Sequence, residues 1–299
     1  MTKLLAYWEL GKPRLSALAV FAVIAGAYMA WPGSSHPPID LLVLTTLGTF
    51  CAAAGANALN MYRERHLDPL MHRTQGRPLP TGRLQPREVL AFGLIAAVVG
   101  VLLVLFGAPL EDDGSRHLGR TNWVAAGLCA AIVGSYVLVY TPMKVLTPLN
   151  TLVGAIPGAL PPVVGHAAIV GKLALPQLVL FAIVFCWQIP HFLAIAWRYR
   201  EDYARAGMRM LPVLDPTGYR TGLTMLIYVA GLGIASLVPF VTHMAGERYA
   251  AVAVLLDILF FVPTVIAAFT RRDQAMRMTF LTSLVYLPLL LLAMVWDRQ

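Results

Sequence analysis

Long apolar segments alternate with short polar ones along the whole chain. Each apolar segment has about 20 residues, the length that a helix needs to cross the hydrocarbon core of a bilayer. The pattern predicts nine membrane spans, at residues 14–31, 40–62, 86–107, 121–140, 148–168, 176–198, 221–243, 249–270 and 277–296. The expected fold is therefore an all-α integral membrane protein, a bundle of about nine transmembrane helices that forms a single domain over residues 1–299.

The composition agrees with this pattern. Hydrophobic residues make up 58% of the chain and charged residues only 13%, which is too apolar for an ordinary soluble domain. Cys51, Cys129 and Cys186 stand singly in apolar stretches. Because they form no paired or clustered pattern, they argue against a disulfide framework, a structural zinc site or an iron–sulfur site.

The distribution of the basic residues predicts how the chain is oriented in the membrane. A net charge of +8 would suit a nucleic-acid binder only if the cations were massed on one water-facing surface, and here they are spread between apolar segments. With the N-terminus inside, the outer side keeps only five of the 23 lysines and arginines: Arg116, Arg120, Lys172, Arg248 and Arg298. The positive-inside rule then predicts that the N-terminus lies inside and the C-terminus outside. Since the basic residues are explained by this topology, we expect contact with membrane lipid and no nucleic-acid partner.

The first long inner loop follows the second span and carries an acidic pattern. Asn60, Glu64 and Asp68 are spaced at i, i+4 and i+8, so on a helix they share one face. Magnesium binds through one or two carboxylates and keeps waters and phosphate oxygens as its other ligands. The spacing therefore favours a magnesium–diphosphate site over an all-protein calcium site.

Arginines follow at once in the same loop. Arg73, Arg77 and Arg83 carry guanidinium groups that pair well with phosphate oxygens. The alternative interpretation is a solvated helix end with charges that only set the topology. Acids at a span end beside a basic loop favour the functional interpretation, because the same acids would be costly nearer the membrane centre.

The second long inner loop repeats this combination. Glu201 and Asp202 follow the sixth span, together with the arginines Arg198, Arg200, Arg205 and Arg209. Both loops lie on the same predicted side of the membrane. We expect the two acidic and basic ends to face each other across a central cavity that opens to the cytoplasm and to bind a diphosphate there.

Several stretches resemble a known family. The run from Asn60 to Asp68, followed by MHRTQGRPLP, resembles the first motif of the intramembrane aromatic prenyltransferase superfamily. YTPMKVLTPLNTLVGAIPGALPPVVG, WQIPHF and YREDYARAGMRMLP resemble its heme-farnesylating branch. The likeness runs from the KPR at Lys12 to about Pro212.

The resemblance implies an activity and its partners. Relatives of this branch join the farnesyl group of farnesyl diphosphate to a vinyl group of heme B, add water, and release heme O and diphosphate with the help of Mg²⁺. The implied location is a bacterial inner membrane, with the active site facing the cytoplasm. The product would serve heme-copper terminal oxidases, so a heme A synthase or an oxidase assembly is a candidate partner.

The resemblance also implies roles for individual residues. Asn60, Glu64 and Asp68 match the first metal-binding motif, and Asp202 matches the later acid of a second DxxxD motif in which Arg198 replaces the earlier one. Glu201 or waters are expected to compensate in a second metal site, and His191 is expected to face heme or handle a proton. The cations and the tyrosine expected near the diphosphate are Lys12, Arg14, Arg73, Arg77, Tyr140, Lys144 and Arg198.

Plainer interpretations remain beside these. His191 could bond a neighbouring helix, Lys144 could be a topology charge, and Lys12 and Arg14 could anchor the first span. Asp257 lies within the eighth span, where an acid is a functional candidate or a hydrogen-bonded structural group. Two other functions are open: a prenyltransferase for a quinone or chlorophyll precursor, and a transporter, which predicts charged or broken sites near the midplane.

Overall fold

The computed structural model describes residues 3–32, 38–111, 115 and 119–299, without the side chains of residues 14 and 15. The secondary structure of these residues consists of helices joined by loops and turns, with an isolated bridge between Ala245 and Arg298. Its α-helices are α1 Lys3–Leu10, α2 Pro13–Ala30, α3 Ile39–Glu64, α4 Pro86–Leu105, α5 Trp123–Gly134, α6 Thr141–Leu146, α7 Asn150–Ala159, α8 Pro161–Val170, α9 Leu175–Arg198, α10 Arg200–Arg205, α11 Leu211–Leu214, α12 Tyr219–Val241, α13 Glu247–Thr270 and α14 Asp273–Trp296.

The chain is an integral membrane protein. Within the described residues, eight helical segments are long and apolar enough to cross a membrane: Ile39–Glu64, Pro86–Leu105, Trp123–Leu146, Asn150–Val170, Leu175–Arg198, Tyr219–Val241, Glu247–Thr270 and Asp273–Trp296. They match the last eight predicted spans. The first predicted span corresponds to α2, whose apolar part Ser16–Ala30 is shorter. The count of nine and the N-in orientation stay predictions.

Two of the spans are irregular. A π-helical turn at Ser135–Tyr140 joins α5 to α6, and such turns are frequent at functional sites. The span Asn150–Val170 breaks at Leu160, between α7 and α8. The break follows from Pro161 and Pro162, since a proline cannot donate the backbone hydrogen bond that would continue the helix.

The chain divides into two compact units. The first comprises residues Met1–Pro142 and Leu160–Gln177 and the second Met143–Ala159 and Leu178–Gln299. The prediction of a single domain over residues 1–299 stays a prediction.

The first unit is held together by very close helix packing. Its α3 and α4 lie side by side, and a Cβ atom added to Gly55 or Gly100 would overlap backbone atoms of the facing helix. Only glycine permits this approach, which is typical of helices that associate by van der Waals contact within a membrane. The packing fixes the C-terminal end of α3, where Asn60 and Glu64 lie.

The second unit contains α9 and α12 to α14. Its core includes Ile189, Leu193 and Trp197 of α9, packed with Met225 of α12 and Met276 of α14. The end of α9 is therefore fixed against the beginning of α14, and this arrangement positions the aromatic and basic residues described below.

Candidate active site

The acidic motif of the first unit forms a connected cluster. At the end of α3, the Asn60 side-chain amide donates a 2.8 Å hydrogen bond to Glu64 Oε2. Both side chains are buried. The two residues share a helix face, as their spacing predicts.

Asp68 also lies beside Glu64, but it is not part of helix α3. Helix α3 ends at Glu64, and Asp68 begins a short 3₁₀ turn, Asp68–Leu70. The expectation that all three residues lie on one helix is therefore wrong. Arg77 brings the acids together instead: its Nη1 lies 2.7 Å from Asp68 Oδ1 and 3.6 Å from Glu64 Oε2.

The cluster fits a hard divalent cation. Asp68 is fully buried, and its second oxygen, Oδ2, has no hydrogen-bond partner among the described residues. Burial raises the pKa of Asp68, and the Arg77 guanidinium offsets only part of this rise. A buried carboxylate oxygen without a partner is costly, and a metal ion would satisfy it. Among the described residues, no group of three or more His, Cys, Asp and Glu residues is placed to bind a metal. Two carboxylates and an amide are ligands that suit Mg²⁺, which keeps waters and phosphate oxygens as its other ligands.

Thr141 belongs to this cluster, although the sequence did not point to it. Its hydroxyl lies 3.0 Å from Asn60 Oδ1 and 2.8 Å from the Tyr136 carbonyl. The hydrogen bonds place the end of the π-helical turn directly beside the acidic motif. The only available signal was the position of Thr141 at an inner span end within the YTPMK stretch.

The other diphosphate candidates of the first unit differ in position. Arg73 is exposed, whereas Lys12 and Tyr140 are half-buried. Lys12 has a left-handed backbone with φ of 44° at the start of α2. The Arg14 side chain lies outside the described residues. The structure thus brings Arg77 to the carboxylates; the roles of the others stay predictions.

Arg83 has a structural partner instead of a place in the cluster. Its two terminal nitrogens bind both carboxylate oxygens of Glu9, at 2.8 and 2.7 Å. The hydrogen bonds from Arg83 lower the pKa of Glu9. This fork joins α1 to the basic loop.

The second acidic motif lies on α10 in the second unit. Asp202 is buried and forms an ion pair with Arg205, whereas its neighbour Glu201 is exposed. Arg198, one turn before Asp202, is exposed at the end of α9, with its guanidinium 5.8 Å from the Tyr199 ring centroid. The second metal site that was expected from Glu201 and Asp202 stays a prediction.

The loop after α10 is tied to the broken fifth span. The Arg209 amide donates a 2.6 Å hydrogen bond to the Lys144 carbonyl. The side chain of Asn150 donates to the carbonyls of Thr147 and Arg209, at 2.6 and 3.1 Å. Lys144 is half-buried beside this connection. Its proposed contact with phosphate stays a prediction.

His191 is held in an aromatic environment within the second unit. Its Nδ1 lies 2.6 Å from Ser283 Oγ, and its ring stacks on Trp187 with the centroids 4.9 Å apart. The Trp187 indole N–H donates to the Ser283 carbonyl at 2.9 Å. The plain interpretation, a bond to a neighbouring helix, is thus confirmed for Nδ1. The role of His191 toward heme that the resemblance implies stays a prediction.

Asp257 has a structural explanation. Its two carboxylate oxygens accept hydrogen bonds from Ser236 and Tyr286, at 2.7 and 2.6 Å. The Tyr249 hydroxyl in turn donates to the Ser236 carbonyl at 2.6 Å. These bonds join α12, α13 and α14, as the interpretation of Asp257 as a hydrogen-bonded structural acid predicts.

The carboxylate cluster therefore belongs to the first unit, and the Asp202 turn and His191 belong to the second. The sequence-based expectation that the two acidic ends face each other stays a prediction.

Comparison with known proteins decides the family. Residues 19–294 match the UbiA prenyltransferase family. The chain belongs to that family. The similarity to individual members extends over nearly the full length. A protein named protoheme IX farnesyltransferase from Solibacter usitatus is 43% identical over 98% of this chain and 98% of its own, and one of the same name from Myxococcus xanthus is 39% identical over 97% and 93%.

Solved structures confirm the UbiA fold. A digeranylgeranylglyceryl phosphate synthase has a TM-score of 0.78 at 19% identity, with 99% of each chain covered. A UbiA homologue from Archaeoglobus fulgidus, determined with DMAPP and Mg²⁺ bound, has a TM-score of 0.61 at 16% identity over 97% of this chain and 99% of its own. These likenesses confirm the all-helical architecture predicted from the sequence.

Proposed function

We propose that the protein transfers the farnesyl group of farnesyl diphosphate to a vinyl group of heme B, with addition of water, to give heme O and diphosphate. The choice of heme B as the acceptor rests on one observation: over almost its whole length, the chain is 43% identical to a protein named protoheme IX farnesyltransferase. The carboxylate cluster with its arginine supports the diphosphate half of the reaction.

The first half of the reaction is the loss of diphosphate. Bound Mg²⁺ would neutralise the charge that grows on the leaving diphosphate. In this proposal Asn60, Glu64 and Asp68 hold the metal, with Asp68 Oδ2 as one ligand. Arg77, which contacts both carboxylates, fixes their orientation and presents its remaining N–H groups to a phosphate oxygen.

Further residues are proposed to bind a second metal ion and the phosphate oxygens. Asp202, assisted by Glu201, would bind a second metal ion, and its pair with Arg205 would then rearrange. The remaining basic residues and Tyr140 would donate hydrogen bonds to phosphate oxygens or balance their charge: Lys12, Arg14, Arg73 and Lys144. These assignments rest on the family resemblance.

The second half of the reaction is the capture of the farnesyl cation by the acceptor. Excluding water protects such a cation, and the apolar interior of a membrane bundle provides that condition. The vinyl group forms the new carbon–carbon bond, and the resulting cation beside the porphyrin takes up one water, which then loses a proton. We propose that His191 faces heme or accepts this proton through Nε2, while Ser283 holds Nδ1.

The same proposal includes the location of the enzyme and the proteins that receive its product. The enzyme would lie in a bacterial inner membrane and take both substrates at its cytoplasmic side. A heme A synthase or a terminal-oxidase assembly would receive the product.

One experiment tests the function. Purified protein is incubated with heme B, farnesyl diphosphate and Mg²⁺, and the porphyrin is examined by mass spectrometry. We expect a product heavier than heme B by a farnesyl group plus a hydroxyl, with loss of the reaction on chelation of the metal. Transfer to a hydroxybenzoate or naphthoate acceptor in place of heme would overturn the assignment of the acceptor.

A further inference from the structure

A cavity of about 530 Å³ lies between the end of α9 and the beginning of α14, in the second unit. This volume is within the range of small-molecule sites. One part of its wall is basic and contains Arg198, Arg200 and Arg277, and another is aromatic and apolar and contains Trp197, Tyr199 and Phe280. The cavity therefore suits an anion with a flat apolar body.

Among the described residues, the cavity is lined by three arginines but by only one acidic side chain, Asp273. Asp273 accepts a 2.8 Å hydrogen bond from the Trp197 indole and lies 3.4 Å from Arg200 Nη1. Arg200 also lies over the Trp197 ring. Arg198 and Arg277 form no ion pair with any residue that the structure describes, and both are exposed. The guanidinium groups of Arg198 and Arg277 are therefore available to bind an anionic ligand.

The apolar wall connects the cavity to His191. The Phe280 ring lines the cavity and lies 5.2 Å, centroid to centroid, from the His191 ring. Arg277 precedes Phe280 by one turn on α14, so the cation and the ring lie on one side of that helix. A ligand that binds the arginines by its anionic groups would extend its apolar body toward Phe280 and His191.

Resting on the proposed function, we propose that Arg277 and Arg198 bind the two propionate carboxylates of heme B. Guanidinium groups bind carboxylates through paired hydrogen bonds. The porphyrin then lies against Phe280, with its opposite edge, which bears the vinyl groups, directed away from the arginines. Arg198 is thereby assigned to the acceptor instead of the diphosphate.

The test compares heme B with heme B dimethyl ester, in which both carboxylates are blocked. Binding to the purified full chain is followed by the heme absorption spectrum, and farnesyl diphosphate binding is measured separately. We expect the unaltered protein to bind heme B about 10-fold more tightly than the ester. Arg277→Gln should remove most of this preference and leave farnesyl diphosphate binding unchanged.

The matched control is Arg272→Gln, which removes the same charge from the same end of α14 but does not line this cavity. It should keep the preference for heme B. Arg277→Lys, which retains the charge but not the planar fork, should keep part of it. This second variant, with a thermal unfolding measurement, separates loss of the carboxylate contact from a folding defect.

The outcomes distinguish this inference from the proposed function. Turnover of heme B with equal binding of the acid and the ester would overturn the carboxylate site and leave the function standing. Arg277→Gln that weakens farnesyl diphosphate binding more than heme binding would instead assign the cavity to the diphosphate. A protein that binds heme B through these arginines but does not farnesylate it would overturn the function alone.

Discussion

The hydroxyl of Thr141 donates a 3.0 Å hydrogen bond to the side-chain oxygen of Asn60, 81 positions earlier in the chain. Asn60 in turn donates to Glu64. The orientation of Asn60, and through it of Glu64, is therefore supported by a residue at the end of a π-helical turn in another span.

Thr141→Val should lower Mg²⁺-dependent activity, because it removes the donor that orients Asn60 while keeping the size of the side chain. Loss of such a supporting contact typically costs about 10- to 100-fold in metal affinity or activity. The measurement is turnover as a function of Mg²⁺ concentration. Thr141→Ser, which keeps the hydroxyl, should retain most of the activity; equal losses in both variants would contradict this role.

Asp68→Asn or Asp68→Ala should abolish magnesium-dependent turnover and leave the protein folded. We expect a loss of roughly 100-fold or more, since the groups that stabilise developing charge commonly contribute that much. Turnover and thermal unfolding of the purified variants give the two readouts. Glu88→Gln, which removes a half-buried carboxylate that pairs with Lys3 outside the cluster, is the matched control. Near-normal turnover in the Asp68 variants would refute the metal assignment.

His191→Ala should weaken heme binding more than farnesyl diphosphate binding. The variant loses the ring that stacks on Trp187 and packs near Phe280, and we expect an effect of about 10-fold on the heme Kd. Two separate binding titrations measure this difference. Ser283→Ala should give a smaller effect in the same direction, because it frees the orientation of the ring without removing it. Equal loss of both ligands would show that His191 only supports the fold.

Tyr286→Phe should destabilise the protein without changing the specific activity of the folded enzyme. It removes one of the two hydrogen bonds to Asp257, and such bonds between membrane helices contribute about 0.6 kcal/mol on average. The free energy of unfolding in mixed micelles is the appropriate measurement. Ser236→Ala should act in the same direction. A loss of catalysis at unchanged stability would assign Asp257 a functional role instead.

The span pattern was readable from the sequence because helices in lipid must satisfy their own backbone hydrogen bonds, so that each crossing requires a long apolar run. Eight described helical segments follow the predicted segments, with boundaries that differ by at most six residues. Asn60 and Glu64 were equally predictable, because an i, i+4 pair depends only on helix geometry.

Asp68 shows where such local reasoning ends. Its spacing suggested a continued helix, but α3 ends at Glu64, and the carboxylate reaches the cluster through a 3₁₀ turn and Arg77. The sequence placed Asp68 near Glu64 but assigned an incorrect local path, because spacing alone does not reveal where a helix ends.

The amino-acid order by itself determined the class of protein, the lengths of its helices and the residue types suited to a metal and a diphosphate, because these depend on hydrophobicity, period and local chemistry. Only the tertiary structure decided that Thr141 supports Asn60, that Arg83 pairs with Glu9, and that Arg277 lines a cavity with Arg198. Each of these relationships joins residues far apart in the chain, and their proximity is set by how the helices pack.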